Sequence, residues 1–158
     1  MTGEVRFERV IDAPLDVVFE AFTTSGGQEA FYRQDDPNWL VESECDLRVG
    51  GVWTVTFGPA SGPRHGHRHA FQVIDRPHRL LLATTEFRAD GSSTEFATEF
   101  TFADHHGRTL MTMTQTGLPT DELRKEHRRG LPNAFDRLER SIFASERLTM
   151  RRRTDISS

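Results

Sequence analysis

Between Leu131 and Ile142 the apolar residues Leu131, Phe135, Leu138 and Ile142 are spaced four, three and four apart, with Asp136, Arg137, Glu139 and Arg140 set between them. That spacing predicts one face of a helix, apolar on one side and charged on the other. A lone helix of this length is marginal in water. Each buried Leu, Phe or Ile contributes roughly 1.5–3 kcal/mol, so the stripe needs a surface to lie on. Pro132 would clash with the carbonyl of Arg128 in an unbroken helix. A kink or break is therefore expected there, with the firm helix running from about Leu131 to Ala144 and following the loop Gly117-Leu118-Pro119.

The surface is supplied by what precedes it. Val5, Phe7 and Ile11 set among Arg6 and Glu8 predict a strand over about 4–11. Asp12 reads as an N-cap with Pro14 in the first turn of a short helix that carries Val17, Val18, Ala21 and Phe22. Ser25-Gly26-Gly27 is expected to end it, and a second short helix over 28–33 presents Ala30, Phe31 and Tyr32. After a turn at Asp35-Asp36-Pro37-Asn38, strands are predicted over 39–46, 52–57, 67–75, 80–87, 95–102 and 109–115. Tight turns separate them, among them Ala89-Asp90-Gly91-Ser92-Ser93 and Asp104-His105-His106-Gly107. Short strands joined this way pair antiparallel, with one apolar face and one polar face. The expected whole is a curved sheet holding the last helix, with the functional part between them.

Composition narrows the classes. A chain of 158 residues fits one domain, expected here over 1–148, with a frayed basic tail over 149–158 around Arg151, Arg152 and Arg153. The formal charge of −4 argues against a general nucleic-acid binder. Met1-Thr2-Gly3-Glu4 leads straight into a strand pattern, and no stretch approaches the ~18 apolar residues of a membrane span, so a cytoplasmic protein is expected. Cys45 is the one cysteine and reads as a half-buried strand thiol.

Several local patterns follow one another in a fixed order. They are Arg9-Val10-Ile11-Asp12-Ala13-Pro14 with Val17-Val18-Phe19-Glu20-Ala21-Phe22, then Asp46-Leu47-Arg48-Val49-Gly50-Gly51, then Val73 to Leu80, Gly107-Arg108-Thr109, and Gly130 with Asp136-Arg137-Leu138. In that order they resemble the family named for the C-terminal domain of the activator of heat-shock-protein-90 ATPase, in the START-like, polyketide-cyclase-like (SRPBCC) superfamily. The resemblance implies an α+β helix-grip fold. Six to seven antiparallel strands would wrap a long C-terminal helix, with two short helices after the first strand. It also implies a cavity between sheet and helix that takes hydrophobic small molecules. Members of the family include lipid carriers, cyclases and chaperone-associated proteins, and no common catalytic motif carries over. His69, Leu131-Pro132 and Phe31-Tyr32 depart from the family pattern near the expected cavity mouth, where they bear on pocket shape and ligand.

Phe31, Tyr32, Trp39, Trp53, Phe71, Phe87, Phe96, Phe100, Met111, Met113, Leu131 and Phe135 are expected to line or close the cavity, although any single one is better read as core. Tyr32 and Trp39 each join an apolar body to one donor, which suits ligand contact. His65, His67 and His69 share one side of a strand at metal-ligand spacing. Their place by a hairpin tip favours a solvated edge, so no metal and no cofactor are expected; His105 and His106 read the same way. Neither Gly-x-Ser-x-Gly nor a phosphate loop is present. An enzyme would need ionisable groups facing the cavity. Tyr32, Arg48 and Glu86 are the candidates, with Arg48 and Glu86 read as sheet-surface charges. The leading expectation is a non-catalytic binder of a small hydrophobic or aromatic molecule. A cyclase- or dehydratase-type enzyme on a polyketide-like substrate and a chaperone-ATPase interaction module are the alternatives, and a homodimer is left open.

Overall fold

The computed structural model describes residues 3–34 and 36–156, with side chains through 145; Met1, Thr2, Asp35, Ser157 and Ser158 lie outside the described residues. The chain forms β1 (Val5–Ile11), α1 (Leu15–Thr23), α2 (Ser25–Tyr32), β2 (Trp39–Cys45), β3 (Val52–Pro59), β4 (His65–Asp75), β5 (Arg79–Phe87), β6 (Ser93–His105), β7 (Arg108–Thr116) and α3 (Asp121–Ile156). The seven strands make one antiparallel sheet in the order β1-β7-β6-β5-β4-β3-β2. Strands β2 to β7 form a meander and β1 closes against the last of them, so the sheet wraps the helices on one side.

Alternation decides which side chains face inward. In β5, Leu80, Leu82 and Thr84 are buried, whereas the intervening positions are more open. In β6, Phe96, Thr98, Phe100 and Phe102 point in, and in β7 Thr109, Met111, Met113 and Gln115 do so. A bulge in β4 between Phe71 and Val73 makes Gln72 the extra residue, which is exposed. It lets Phe71 and Ile74 both reach the core despite their odd spacing.

Helix α3 lays Leu131, Ala134, Phe135, Leu138 and Ile142 into that concave face, all buried, as the spacing predicts. The expected break at Pro132 is absent. The helix begins ten residues before Leu131, at Asp121. Thr120 starts it: its hydroxyl accepts from the Leu123 amide at 3.2 Å, and Asp121 and Glu122 occupy the first turn. A proline removes one intrahelical bond at a cost of about 3 kcal/mol. Packing on both sides of it and an anchor on its own carbonyl offset that loss: Arg9 Nη1 donates to the Pro132 oxygen at 3.2 Å, while its other nitrogens reach Glu139 at 2.9 Å and Asp136 at 2.5 Å. At the other end α3 continues to Ile156, through most of the stretch expected to fray from 149.

The helix pair α1–α2 also departs from expectation. Pro14, in extended conformation and without a side-chain cap bond, takes the N-cap position expected for Asp12. The first helix ends because Thr24 is extended, and Ser25-Gly26-Gly27 is the first turn of α2 instead of a terminator. Gly27 serves close approach: a Cβ there would sit 2.0 Å from the Ala21 carbonyl oxygen. Gly27→Ala should therefore push α2 off α1 and cost about 1–3 kcal/mol in urea unfolding. A loss within error would show that the two helices separate freely.

Candidate functional site

Neighbouring strands bring polar residues together on the inner face at one end of the sheet. His67 lies directly opposite Glu86, His69 opposite Thr84, and Thr98 opposite Gln115. Tyr32, the last residue of α2, and His127, one turn before Leu131 on α3, close over them from the helical side. Tyr32 is held by its own backbone, whose carbonyl accepts from Trp39 Nε1 at 3.1 Å. The preceding carbonyl, that of Phe31, accepts from Arg137 at 2.9 Å. These side chains satisfy C-terminal carbonyls of α2 that have no partner within the helix.

Glu86 is the centre. One of its oxygens lies 3.1 Å from His67 Nε2 and 3.0 Å from His127 Nε2, and the other accepts from Arg88 at 3.0 Å. Burial would raise its pKa, but the hydrogen bonds from His127 and His67 outweigh it and hold the carboxyl well below the usual range. It is an ionised carboxylate with its side chain only 14% exposed. Burial, then the charge of Glu86, pushes the Tyr32 phenol up, so it keeps its proton. Burial, and any positive charge on His67, pushes His69 well down, so it is neutral.

These states fix a direction for the hydrogen bonds. His67 donates Nε2–H to Glu86, which leaves Nδ1 to accept from the Tyr32 hydroxyl at 2.7 Å. The Tyr32 oxygen faces His69 Nε2 at 3.4 Å. His69 Nδ1 lies 2.8 Å from the Thr84 hydroxyl, which lies 2.9 Å from that of Thr98. Read from Thr98, each group donates to the next until the chain ends on the carboxylate. On its far side His127 Nδ1 meets Gln115 Oε1 at 2.8 Å. A second buried chain runs beside it: Trp53 Nε1 donates to Ser43, Ser43 to Gln28, and Gln28 to the Phe22 carbonyl.

Aromatic rings flank the polar chain at the open end. Tyr32 stacks on Phe57 with centroids 4.9 Å apart, Phe57 stacks on His65 at 5.7 Å, and Trp39 leans over Phe57 at 6.3 Å. All four are half-buried. Opposite them lies the apolar half, where Phe135 meets Phe7 at 4.9 Å and Phe31 at 5.1 Å, and Phe22 meets Phe100 at 4.7 Å.

Of the residues expected to line a cavity, Phe31, Trp53, Phe71, Phe96, Phe100, Met111, Met113, Leu131 and Phe135 are buried in the core cluster. Tyr32 and Trp39 stand at the open end. Phe87 does not belong with them. It has the opposite parity to Leu82 and Glu86 and is 46% exposed on the outer face. Two further readings are corrected by the same parity. His67 and His69 are not a solvated hairpin edge: His69 is 4% exposed and His67 faces Glu86. Glu86 is not a surface charge. Among the described residues no group of three or more His, Cys, Asp or Glu is placed to hold a metal ion. His127, Gln115, Thr84 and Thr98 were missed by sequence reasoning. The signal for His127 was its position four before Leu131, on the stripe's own face.

Over residues 12–142 the chain matches the family described as Activator of Hsp90 ATPase homolog 1-like protein. No curated protein matches the sequence. Among solved structures, protein CV1439 from Chromobacterium violaceum superposes with a TM-score of 0.76 at 20% identity, covering 88% of this chain and 96% of that one. Protein Ms6760 from Mycobacterium smegmatis gives 0.71 at 18%, covering 90% of each. An AHSA1-like protein from Aeromonas hydrophila gives 0.68 at 20%, covering 90% and 94%. At these identities the likeness establishes the helix-grip fold. Among the described residues no helix is long and apolar enough to cross a membrane.

Proposed function

The chain belongs to the Activator of Hsp90 ATPase homolog 1-like family, and on that premise we propose that it binds a small planar aromatic molecule bearing a hydroxyl or carbonyl group. The ring system would sit against Trp39, Phe57 and Tyr32, and its polar group would meet the Tyr32–His67–Glu86 chain. The observation that carries this reading is the ionised Glu86 inside the grip, held by His67 and His127. Burying an ion costs several kcal/mol even after relaxation, and an apolar core of the same volume would fold as well or better. A wholly greasy interior, the expectation from composition, supports a purely hydrophobic ligand. This interior supports one with a polar end.

Titrating 1-naphthol while following the fluorescence of Trp39 and Trp53 tests it, with naphthalene as the ring alone. Saturable quenching by 1-naphthol is expected, weaker with naphthalene and about tenfold weaker in His67→Ala, the loss of one charge-assisted hydrogen bond. Absence of saturation, or equal binding by the His67 variant, overturns the reading.

A second reading is favoured by one geometry. The order hydroxyl, imidazole, carboxylate, at 2.7 and 3.1 Å, is the arrangement that activates a hydroxyl for proton transfer. It supports an acid–base enzyme acting on an enolisable, polyketide-like carbonyl compound. Deuterium exchange into 1-phenyl-1,3-butanedione, accelerated by the protein and lost in Tyr32→Phe, would support catalysis over binding; exchange at the rate of buffer removes it. An interaction module for a chaperone ATPase draws on the family's name alone.

A further inference from the structure

The donor chain that runs from Thr98 to Glu86 is sealed at one end and open at the other. Thr98, Thr84 and His69 are 1%, 2% and 4% exposed, whereas the side chains of His67 and Glu86 are each 14% exposed. Tyr32, which joins the two halves, is half-buried and stacks on Phe57. A molecule arriving along the rings of Trp39 and Phe57 therefore meets the donor chain at Tyr32, His67 and Glu86, and not at its threonines.

The polar protons of the groups facing those rings are already committed. Glu86 is ionised and has none to give; one of its oxygens accepts from His67 and His127, the other from Arg88. His67 places Nε2–H on Glu86 and takes the Tyr32 proton on Nδ1 at 2.7 Å. Trp39 Nε1–H is held by the Tyr32 carbonyl at 3.1 Å. Arg88 turns Nη1 to Ser92 and Nη2 to Thr94 and Glu86, around its own hairpin. The capacity left over is that of an acceptor, on the Tyr32 oxygen. A phenol oxygen accepts as well as donates. Its second neighbour here, His69 Nε2, lies at 3.4 Å, beyond the roughly 2.9–3.0 Å at which such bonds are commonest.

Given a ring molecule docked at Trp39, Phe57 and Tyr32, on which reading this one rests, we propose that the polar end of the site is an acceptor. The ligand's polar group is then a donor, a phenolic hydroxyl or a ring N–H, and the Tyr32 oxygen binds it. Such a donor joins the chain without disturbing it, and every bond from there to the carboxylate is polarised in the same sense. A carbonyl or ether oxygen must break the chain instead. To donate to one, Tyr32 has to turn its O–H away from His67, which leaves the imidazole Nδ1 without a partner. If His67 turns as well, Glu86 loses a donor. Tyr32 is in this way the residue that determines specificity: the wrong polar group is rejected through unpaired buried atoms, whatever the shape of its ring.

Indole and benzofuran test it, since they share a shape and differ at one atom, an N–H donor against an oxygen acceptor. Calorimetric titration of the full chain with each, and with 1-naphthol against 1-naphthaldehyde, should show the donor of each pair binding about tenfold or more tightly. Tyr32→Phe keeps the ring and removes the oxygen, so both members of a pair should then bind alike. His65→Phe changes the ring on the other side of Phe57 and should keep the preference. Imidazole nitrogen shifts of the free protein read the direction of the donor chain without any ligand: His67 is expected to carry its proton on Nε2 and none on Nδ1. Equal affinities within the pairs, a preference that survives Tyr32→Phe or is lost in His65→Phe, or a proton on His67 Nδ1 overturns the proposal. Saturation without preference sinks this proposal alone. If none of the compounds saturates, the ring-binding reading falls and takes this one with it.

Discussion

Replacing Phe135 by alanine is expected to lower the unfolding free energy by about 3–5 kcal/mol, the largest loss of any single truncation on α3. Phe135 is fully buried. It stacks on Phe7 of β1, meets Phe31 of α2 edge-on and touches Phe22 of α1, so one ring joins four elements. Removing it takes away the transfer energy of the side chain and leaves a cavity whose walls, set on separate elements, cannot all move in to fill it. Urea unfolding with the far-UV signal of the helices as readout measures the loss. Phe87→Ala is the matched control: that ring is half exposed on the outer face, and its truncation should stay within about 0.5 kcal/mol. Equal losses at the two positions would mean that α3 is not gripped by the sheet, and the fold assignment would fall with it.

Phe135 is placed correctly by local pattern, whereas Glu86, named as a candidate but assigned to the sheet surface, is not. The stripe Leu131, Phe135, Leu138 and Ile142 repeats at the helical period, and nothing else buries four such residues on one face. The strands alternate just as plainly, and all seven lie where alternation places them to within a few residues. Longer reach defeats local pattern. Pro132 argues for a break when only its own clash is considered; the contacts that offset the clash come from Arg9, more than a hundred residues away in the chain. Gly26-Gly27 has the composition of a terminator, and only the approach of α2 to Ala21 shows that it is a contact.

The interior chemistry was hidden by a habit about residue type. Histidine and glutamate are polar enough that residue type alone puts them on the solvent face of a strand, against what their parity indicates. Parity was nonetheless available. His67 and His69 alternate in step with Phe71, and Glu86 in step with Leu80 and Leu82, so core residues on the same strand already pointed them inward. What no local pattern held is their convergence. His67 and Glu86 meet because β4 and β5 pair in one register, and His127 joins them only because α3 starts ten residues before the apolar stripe.

Glu86→Gln tests that convergence, and a loss of about 3–5 kcal/mol is expected at neutral pH, the usual cost of removing one partner from a buried charge pair. Glutamine has nearly the shape of the carboxylate, so packing is preserved. It cannot accept with both ends, however. His67 and His127 donate to one oxygen and Arg88 to the other. Whichever way the amide turns, its NH2 faces a donor, and a buried donor is left without a partner. The loss should also depend on pH. The folded carboxyl is held below its ordinary value of 4.5, so in the acid range the unfolded chain binds a proton that the native one does not. Stability from this group is then fully present above about 4.5 and declines as pH falls toward the folded value. The gap between wild type and Glu86→Gln should accordingly be widest near neutrality and narrow progressively below that point. Urea unfolding of both proteins across the acid range reads it directly. A gap that stays constant with pH, or a variant as stable as the parent, would mean that Glu86 is not an ionised partner of the two histidines. The donor chain from Thr98 through Tyr32 would then lose its endpoint, and with it the argument that the interior recognises a polar group.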